Sequence, residues 1–172
     1  MMTVFKRVCR AMLVPMLALS AITPAAAQVQ LLGDFNRWSS YSASEGGNAI
    51  CFALTRPSET NPTPDGYGDA YIYLTNRPAE NARAEFNLIA GYTFAPDTEA
   101  TLSVGGQSFA LFTQNDAAWL LDQSQTETLA GVMRAGSSVV VEGTSERGIR
   151  VRQTFSLSGA TAASRAIDQQ CG

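Results

Sequence analysis

Histidine is missing from this 172-residue chain, and Lys6 is its single lysine. Without histidine, the Ser-His and Cys-His pairs of nucleophilic catalysis and the common His-based metal sites cannot form within one chain. The chain also contains neither a Gly-rich phosphate loop with its lysine nor a G-x-G-x-x-G motif. The composition therefore disfavours an enzyme and predicts no cofactor, no metal site and no nucleotide binding.

Residues 1–27 predict a cleavable secretory signal peptide. Three cations precede an apolar run of about a dozen residues, and Ala25 and Ala27 supply the small side chains that signal peptidase requires. The run is shorter than the roughly 20 apolar residues of a membrane-spanning helix. We therefore expect residues 28–172 to be exported as one domain, periplasmic or secreted and cell-surface associated, with no integral membrane segment.

The exported domain is acidic. After the leader is removed, 9 arginines remain against 15 aspartates and glutamates, which gives a net charge of −6. A domain of this charge without clustered cations is a poor match for nucleic acid or anionic lipid, since both are bound by neutralising phosphates. The charge therefore predicts that nucleic acid is not a partner.

Two cysteines, Cys51 and Cys171, remain in a compartment where disulfides form and persist. We expect a bond between them, which would tie the C-terminus to an early strand. In the chain-entropy model, closing so long a loop stabilises the fold by about 4 to 5 kcal/mol. A redox pair and an intermolecular bridge are the alternatives, although no C-x-x-C motif supports redox chemistry.

Short segments rich in β-branched and aromatic residues predict about eight strands. Gly105-Gly106 lies between two alternating segments and predicts a hairpin with a two-residue turn. Residues 137–142 and 149–157 predict a second hairpin, with Val151 and Phe155 facing inward. Short helices are expected at residues 123–134 and, at the C-terminus, at residues 160–170. The pattern indicates a mainly antiparallel β-sandwich or barrel, and periodicity does not choose between the two.

Residues 57–69 contain three prolines and two glycines, and we expect no regular element there. Loops of this length are either functional or merely mobile, and Asp65, Tyr67 and Asp69 are its candidate binding residues. A calcium site at the two aspartates is the less favoured interpretation, because their spacing matches no EF-hand.

Two further hypotheses concern the aromatic and acidic residues. Aromatic side chains could form a sugar-binding platform, although aromatic residues in strands more often fill cores; the candidates are Trp38, Tyr71, Tyr73, Tyr92 and Trp119. A pair of carboxylates could act as in a glycosidase, but their separation cannot be deduced from sequence.

An ordered set of short motifs resembles the invasion-associated locus B family and extends over nearly the whole exported chain. The set comprises Trp38, Cys51-Phe52, Thr75-Asn76-Arg77-Pro78, Gly91-Tyr92, residues 109–119, Met133-Arg134-Ala135-Gly136, residues 143–148, residues 154–159, Ala162-Ala163 and Cys171. The resemblance implies an immunoglobulin-like β-sandwich in a periplasmic or surface-associated protein of Gram-negative bacteria. It implies no catalytic residues.

The leading hypothesis is an exported, non-catalytic envelope protein that takes part in host-cell interaction or envelope binding, with an unidentified envelope or host-surface partner. The alternatives are a carboxylate-dependent hydrolase acting on envelope glycans and an envelope stability or assembly factor. Fold and family resemblance alone do not distinguish these functions.

The cysteine pairing is tested by the intact mass of the exported protein before and after reduction. One intramolecular disulfide in a monomer predicts a gain of about two daltons on reduction. Two thiols that react with a labelling reagent before reduction would contradict the pairing.

Overall fold

The computed structural model describes residues 28–172, and the predicted signal peptide lies outside them. Strands and two α-helices account for most of this part of the chain, so the predicted mainly β fold with a C-terminal helix is confirmed. The strands are β1 (Gln30–Phe35), β2 (Trp38–Glu45), β3 (Asn48–Thr55), β4 (Glu59–Asn61), β5 (Tyr71–Arg77), β6 (Ala82–Ile89), β7 (Glu99–Val104), β8 (Gln107–Gln114), β9 (Ala117–Leu120), β10 (Ser138–Thr144) and β11 (Arg150–Ser156). The helices are α1 (Thr126–Ala135) and α2 (Ala160–Cys171).

The strands form one antiparallel sheet in the order β1-β2-β3-β5-β6-β9-β8-β7-β10-β11-β4. Buried side chains from both halves of this order, such as Phe86 of β6 and Phe155 of β11, belong to a single hydrophobic core. The sheet therefore curves around the core. The two layers expected of a sandwich are halves of one sheet, since β6 and β9 are paired.

Contacts of Trp38 hold distant strands of the sheet together. This side chain is 1% exposed, and its Nε1 donates a hydrogen bond of 2.9 Å to the carbonyl oxygen of Ser156. The neighbouring Arg37 N–H donates to the carbonyl oxygen of Ser158 at 3.2 Å. Because β2 is second and β11 is tenth in the sheet, these bonds join segments that no strand ladder connects.

Both predicted hairpins are confirmed. Val104 of β7 is paired with Gln107 of β8, and the two glycines between them have φ values of 57° and 80°. Such positive φ values are those of a two-residue type I′ turn. In the second hairpin, β10 pairs with β11, and Val151 and Phe155 are fully buried as expected.

The prediction that residues 57–69 contain no regular element is wrong at β4. These three residues pair with Arg152, Gln153 and Thr154 of β11. A strand at the edge of a sheet needs a partner on one side only, so a short segment between prolines is sufficient. The strands β1 and β2 were not predicted. The residues of β2, Trp38–Glu45, are rich in serine and include no β-branched residue, so their composition does not indicate a strand.

Helix α1 confirms the predicted helix near residues 123–134, with residues 123–125 forming a 3-10 turn before it. Leu129 and Met133 are its buried large side chains. The helix ends at Gly136, whose backbone lies close to the side chain of Val104. A Cβ at this position would lie 2.9 Å from Val104 Cγ2. Packing therefore favours glycine at this position, whereas its extended backbone, with a φ of −83°, is open to any residue.

Helix α2 packs on the inner face of β1, β2, β3 and β5. Its Ala163 and Ile167 are buried in the core, and Cys171 is joined to Cys51 of β3 by a disulfide across a Cα–Cα distance of 5.8 Å. The bond spans a sequence separation of 120 residues. Between Gln28 and Gly172, neither helix has the length and apolar character needed to cross a membrane.

We expect Trp38→Phe to lower the free energy of unfolding by about 2 to 4 kcal/mol, because it removes the hydrogen bond to Ser156 and leaves a cavity. Urea denaturation followed by circular dichroism measures this loss. Trp119→Phe is the matched control, since Trp119 is partly exposed, and it should cost less than about 1 kcal/mol. Equal midpoints for the two variants would contradict the proposed role of Trp38.

Candidate functional site

Aromatic side chains project from the sheet on the face opposite the core and α2, which we call the outer face. Side chains alternate along a strand, so Cys51 and Ala53 of β3 face the core, while Phe52 and Leu54 point outward. Strand pairing then places the other outward residues beside them. The aromatic face comprises Tyr41, Phe52, Tyr71, Tyr73, Phe112 and Trp119.

The rings of β2, β3 and β5 contact one another in sequence across the sheet. The centroids of Tyr41 and Phe52 lie 5.3 Å apart with their planes at 21°, a stacked pair. Phe52 lies 6.2 Å from Tyr73, and Tyr73 lies 5.8 Å from Tyr71. These separations are within the range of attractive aromatic pairs.

The same row continues onto β9 and β8. Tyr73 is paired across the ladder with Asn87 of β6, and Asn87 with Trp119 of β9. Trp119 stacks on Phe112 at 5.1 Å, and Phe112 is 39% exposed. Five strands therefore carry the aromatic face, and β6 contributes Asn87 between β5 and β9. The six strands from β2 to β8 span about 24 Å at the usual spacing of strands.

A cleft of about 530 Å³ lies at the β2–β3–β5 end of the aromatic face, and we call it the tyrosine cleft. Tyrosine rings and polar and basic side chains both line it. The lining residues are Asn36, Arg37, Ser39, Tyr41, Leu54, Thr55, Arg56, Tyr71 and Tyr73. They include two arginines and no carboxylate, although residues 28–172 as a whole are acidic.

Arg56 is fixed at the edge of the tyrosine cleft by three interactions. Its Nη1 lies 2.7 Å from Asp69 Oδ1, its Cζ lies 4.6 Å from the centroid of the Tyr71 ring, and its Nη2 donates a hydrogen bond to the Tyr71 hydroxyl. The hydrogen bond to Asp69 raises the pKa of Arg56. Burial raises the pKa of Tyr73 above its ordinary value, with a further contribution from Tyr71, so the Tyr73 hydroxyl stays protonated at neutral pH.

Arg37 is the second cation of the tyrosine cleft. Its carbonyl oxygen accepts a hydrogen bond of 2.5 Å from Thr55 Oγ1, and its N–H is bonded to Ser158. Its side chain is exposed and takes part in none of the ion pairs formed among residues 28–172. The backbone of this arginine is thus held on both sides, while its guanidinium faces solvent.

A second cleft, of about 480 Å³, lies beside the loop of residues 62–69, and we call it the loop cleft. The predicted residues Asp65 and Asp69 both line it, together with Asp116, Glu146 and Arg147. Asp65 Oδ2 lies 3.3 Å from Arg147 Nη1, and Asp69 is paired with Arg56. Across residues 28–172, no group of three or more histidines, cysteines and acids is arranged to hold a metal ion.

Tyr67 does not line the loop cleft. Its hydroxyl accepts a hydrogen bond of 2.9 Å from Gln153 Nε2 and lies 2.9 Å from Thr60 Oγ1. Gln153 is completely buried and also donates to the carbonyl oxygen of Ala90 at 2.9 Å. Tyr67 is therefore placed to anchor the loop to β11, whereas Asp65 and Asp69 are exposed.

The loop is also fixed to the segment after β6. Gly68 N–H donates a hydrogen bond of 2.8 Å to the carbonyl oxygen of Gly91. Gly91 has a φ of 75°, and a Cβ there would lie 2.8 Å from the carbonyl oxygen of Gly68. Only glycine allows this conformation and this close approach together.

The five aromatic residues considered for a platform divide into two groups. Tyr71, Tyr73 and Trp119 lie on the aromatic face, whereas Trp38 and Tyr92 are buried. Burial raises the pKa of Tyr92, with a further contribution from Tyr67. The sequence did not predict Tyr41, Phe52 or Phe112 as part of this face. Phe52 could have been found, because it alternates with Cys51 and Ala53 in a strand that the sequence predicts.

A family model described as invasion associated locus B (IalB) protein matches residues 38–168. The chain belongs to the invasion-associated locus B family. Among curated protein sequences, none matches it significantly. The matched range contains the whole aromatic face and ends before Cys171, and Arg37 lies one residue ahead of it. Of the two arginines of the tyrosine cleft, Arg56 therefore lies inside the matched range and Arg37 lies outside it.

A crystal structure of invasion associated protein B from Bartonella henselae is similar to this member of the family. The two share 14% sequence identity with a TM-score of 0.56, over 85% of this chain and 97% of the other. A likeness at this identity supports the fold that both proteins adopt, and it carries no information about ligands.

We expect Tyr67→Phe to destabilise the loop of residues 62–69 and to lower the free energy of unfolding by about 1 to 3 kcal/mol, since one N–H of Gln153 Nε2 and the Thr60 hydroxyl lose their hydrogen-bond partner. Limited proteolysis within the loop and urea denaturation measure the two effects. Thr63→Ala, which removes a more exposed hydroxyl from the same loop, should leave both nearly unchanged. Equal cleavage rates for Tyr67→Phe and the unmodified protein would contradict the anchoring role.

Proposed function

We propose that this protein is an exported, non-catalytic envelope protein that binds a partner at the envelope or host surface through its aromatic face. The single observation that supports the proposal is the set of outward-facing rings on one face of the sheet, which form two groups on either side of Asn87 of β6. Export is supported by the predicted leader and by the disulfide between Cys51 and Cys171. The lack of histidine supports a non-catalytic role.

Physical chemistry favours binding as the use of such a face. Monomeric soluble proteins rarely expose large contiguous apolar patches, and those that they do expose are commonly interaction sites. Tyrosine and tryptophan are also enriched at interfaces, because they bury a large area and retain a polar group. Phe112 is more than a third exposed while it stacks on Trp119, so its outer surface is available to a partner.

Cross-strand aromatic pairs also stabilise a sheet, and this is the competing account of the same rings. The two accounts differ in what truncation should change. A stabilising pair loses free energy of unfolding when one ring is removed, whereas a binding residue loses affinity at nearly constant stability. Phe112 and Trp119 are suited to this comparison because they lie away from the core, at the more exposed end of the face.

The test is capture by purified residues 28–172, with the disulfide intact, from fractionated bacterial envelopes and from host-cell membranes. We expect a retained partner to bind with a Kd of order micromolar or tighter. Phe112→Ser and Trp119→Ala should weaken binding of that partner by at least about tenfold, equivalent to roughly 1.4 kcal/mol.

Gln169→Ala is the control, since Gln169 is exposed on α2, which packs on the opposite face of the sheet. It should leave the affinity unchanged. Retention that is insensitive to Phe112→Ser and Trp119→Ala would contradict the proposed surface. Turnover of a chromogenic glycan substrate by the unmodified protein would contradict the non-catalytic assignment and favour a carboxylate-dependent hydrolase.

A further inference from the structure

We infer that the tyrosine cleft binds a sugar that carries a carboxylate, such as a uronic or sialic acid unit of a larger glycan. This inference rests on the proposed function, because it names the class of ligand for one end of the aromatic face. It depends on three features of the cleft: its rings, its polar groups and its charge.

The rings provide an apolar surface of suitable size. Tyr41, Tyr71 and Tyr73 all line the tyrosine cleft, and its volume of about 530 Å³ is that of a small-molecule site. One face of a pyranose ring consists largely of C–H groups, which pack on a flat aromatic ring, while its hydroxyls point to the sides. A cleft that is lined by both rings and polar side chains offers contacts to each part of the sugar.

The polar groups are well placed for sugar hydroxyls. Asn36 provides an amide, Ser39 provides a hydroxyl, and Tyr73 provides a phenol that burial keeps protonated. Asn36 lies in the tight turn between β1 and β2, where its φ is 55°. It lines the edge of the cleft beside Arg37. Polar side chains thus lie beside the rings of the cleft, and convergent polar groups are the usual basis of specificity.

The charge of the cleft favours an anionic ligand. Arg37 and Arg56 line the tyrosine cleft, whereas four acids and one arginine line the loop cleft. Asp69 neutralises Arg56 at 2.7 Å, and Asp34, which is outside the lining, accepts a hydrogen bond of 2.5 Å from Ser39 Oγ and keeps its charge, so Arg37 is the cation that would meet an anion. Arg37 forms no ion pair within residues 28–172, and its guanidinium can donate two parallel hydrogen bonds to one carboxylate.

An acidic peptide could also neutralise Arg37, but the sheet disfavours it here. Strand addition requires unpaired backbone groups at an edge, and β2, β3 and β5 are internal strands with neighbours on both sides. A peptide lying across the tyrosine cleft would therefore leave its own backbone without partners in the sheet. A sugar has no backbone hydrogen bonds to satisfy.

The experiment measures binding of acidic oligosaccharides to purified residues 28–172 by calorimetry. The probes are a sialyllactose, a glucuronate-containing tetrasaccharide, and the same two molecules with the carboxylate reduced to an alcohol. We expect at least one acidic probe to bind, and its reduced form to bind at least about tenfold more weakly, since a charge-assisted bidentate contact is lost.

Arg37→Gln should reproduce that loss with the acidic probe and have little effect on the reduced one. Arg165→Gln is the matched control, because Arg165 is exposed on α2, which packs on the opposite face of the sheet, and it should change neither. Tyr73→Ala should weaken both probes, and its far-ultraviolet spectrum and urea midpoint will show that the sheet is intact.

Equal binding of the acidic and reduced probes would overturn the inference, as would binding of neither or an affinity that is indifferent to Arg37→Gln. These outcomes leave the proposed function separately testable, because Phe112 and Trp119 lie outside the tyrosine cleft. Capture that is sensitive to those two residues, without acidic sugar binding, would support the aromatic face and refute this ligand.

Discussion

The position of α2 against the inner face of β1, β2, β3 and β5 is the constraint on which the rest of the structure depends. The helix occupies the side of the sheet that Cys51 and Ala53 face, and the disulfide to Cys171 fixes it there. Because neighbouring residues of a strand point to opposite faces, burial of one set under the helix leaves Phe52 and its aromatic partners outside. The part of the aromatic face on β2, β3 and β5 is thus a direct consequence of where α2 docks.

Closure of the sheet has a similar consequence for the tyrosine cleft. The hydrogen bond from Trp38 to Ser156 and that from Arg37 N–H to Ser158 bring the β1–β2 turn against the end of β11. Gly159 allows this contact, since a Cβ at that position would collide with the carbonyl oxygen of Phe35. The same contacts that stabilise the fold therefore hold the backbone of Arg37 beside the tyrosine rings.

Arginine is the only basic residue type in residues 28–172, and its chemistry suits the contacts of the tyrosine cleft. A guanidinium can stack on a ring and form an ion pair at the same time, as Arg56 does with Tyr71 and Asp69. An ammonium group has no planar surface with which to stack. The tyrosine cleft contains two arginines, whereas the loop cleft contains four acids and one arginine. The two clefts therefore differ in the charge of the ligand that they favour, although the net charge of the domain is negative.

The sequence by itself determined the hairpins, both helices and the cysteine pair, because these depend on local signals: paired glycines, a helix stop and an even cysteine count. It also identified the loop acids Asp65 and Asp69, but it could not show that Tyr67 bonds to Gln153, which is 86 residues away. Only the tertiary structure decided which aromatic residues are buried and which form a surface. The physical reason is that Trp38 and Trp119 both lie in strands, and a local pattern does not show which of the two side chains is buried. Strand pairing and the docking of α2 decide this, and both involve residues that are far apart in the sequence.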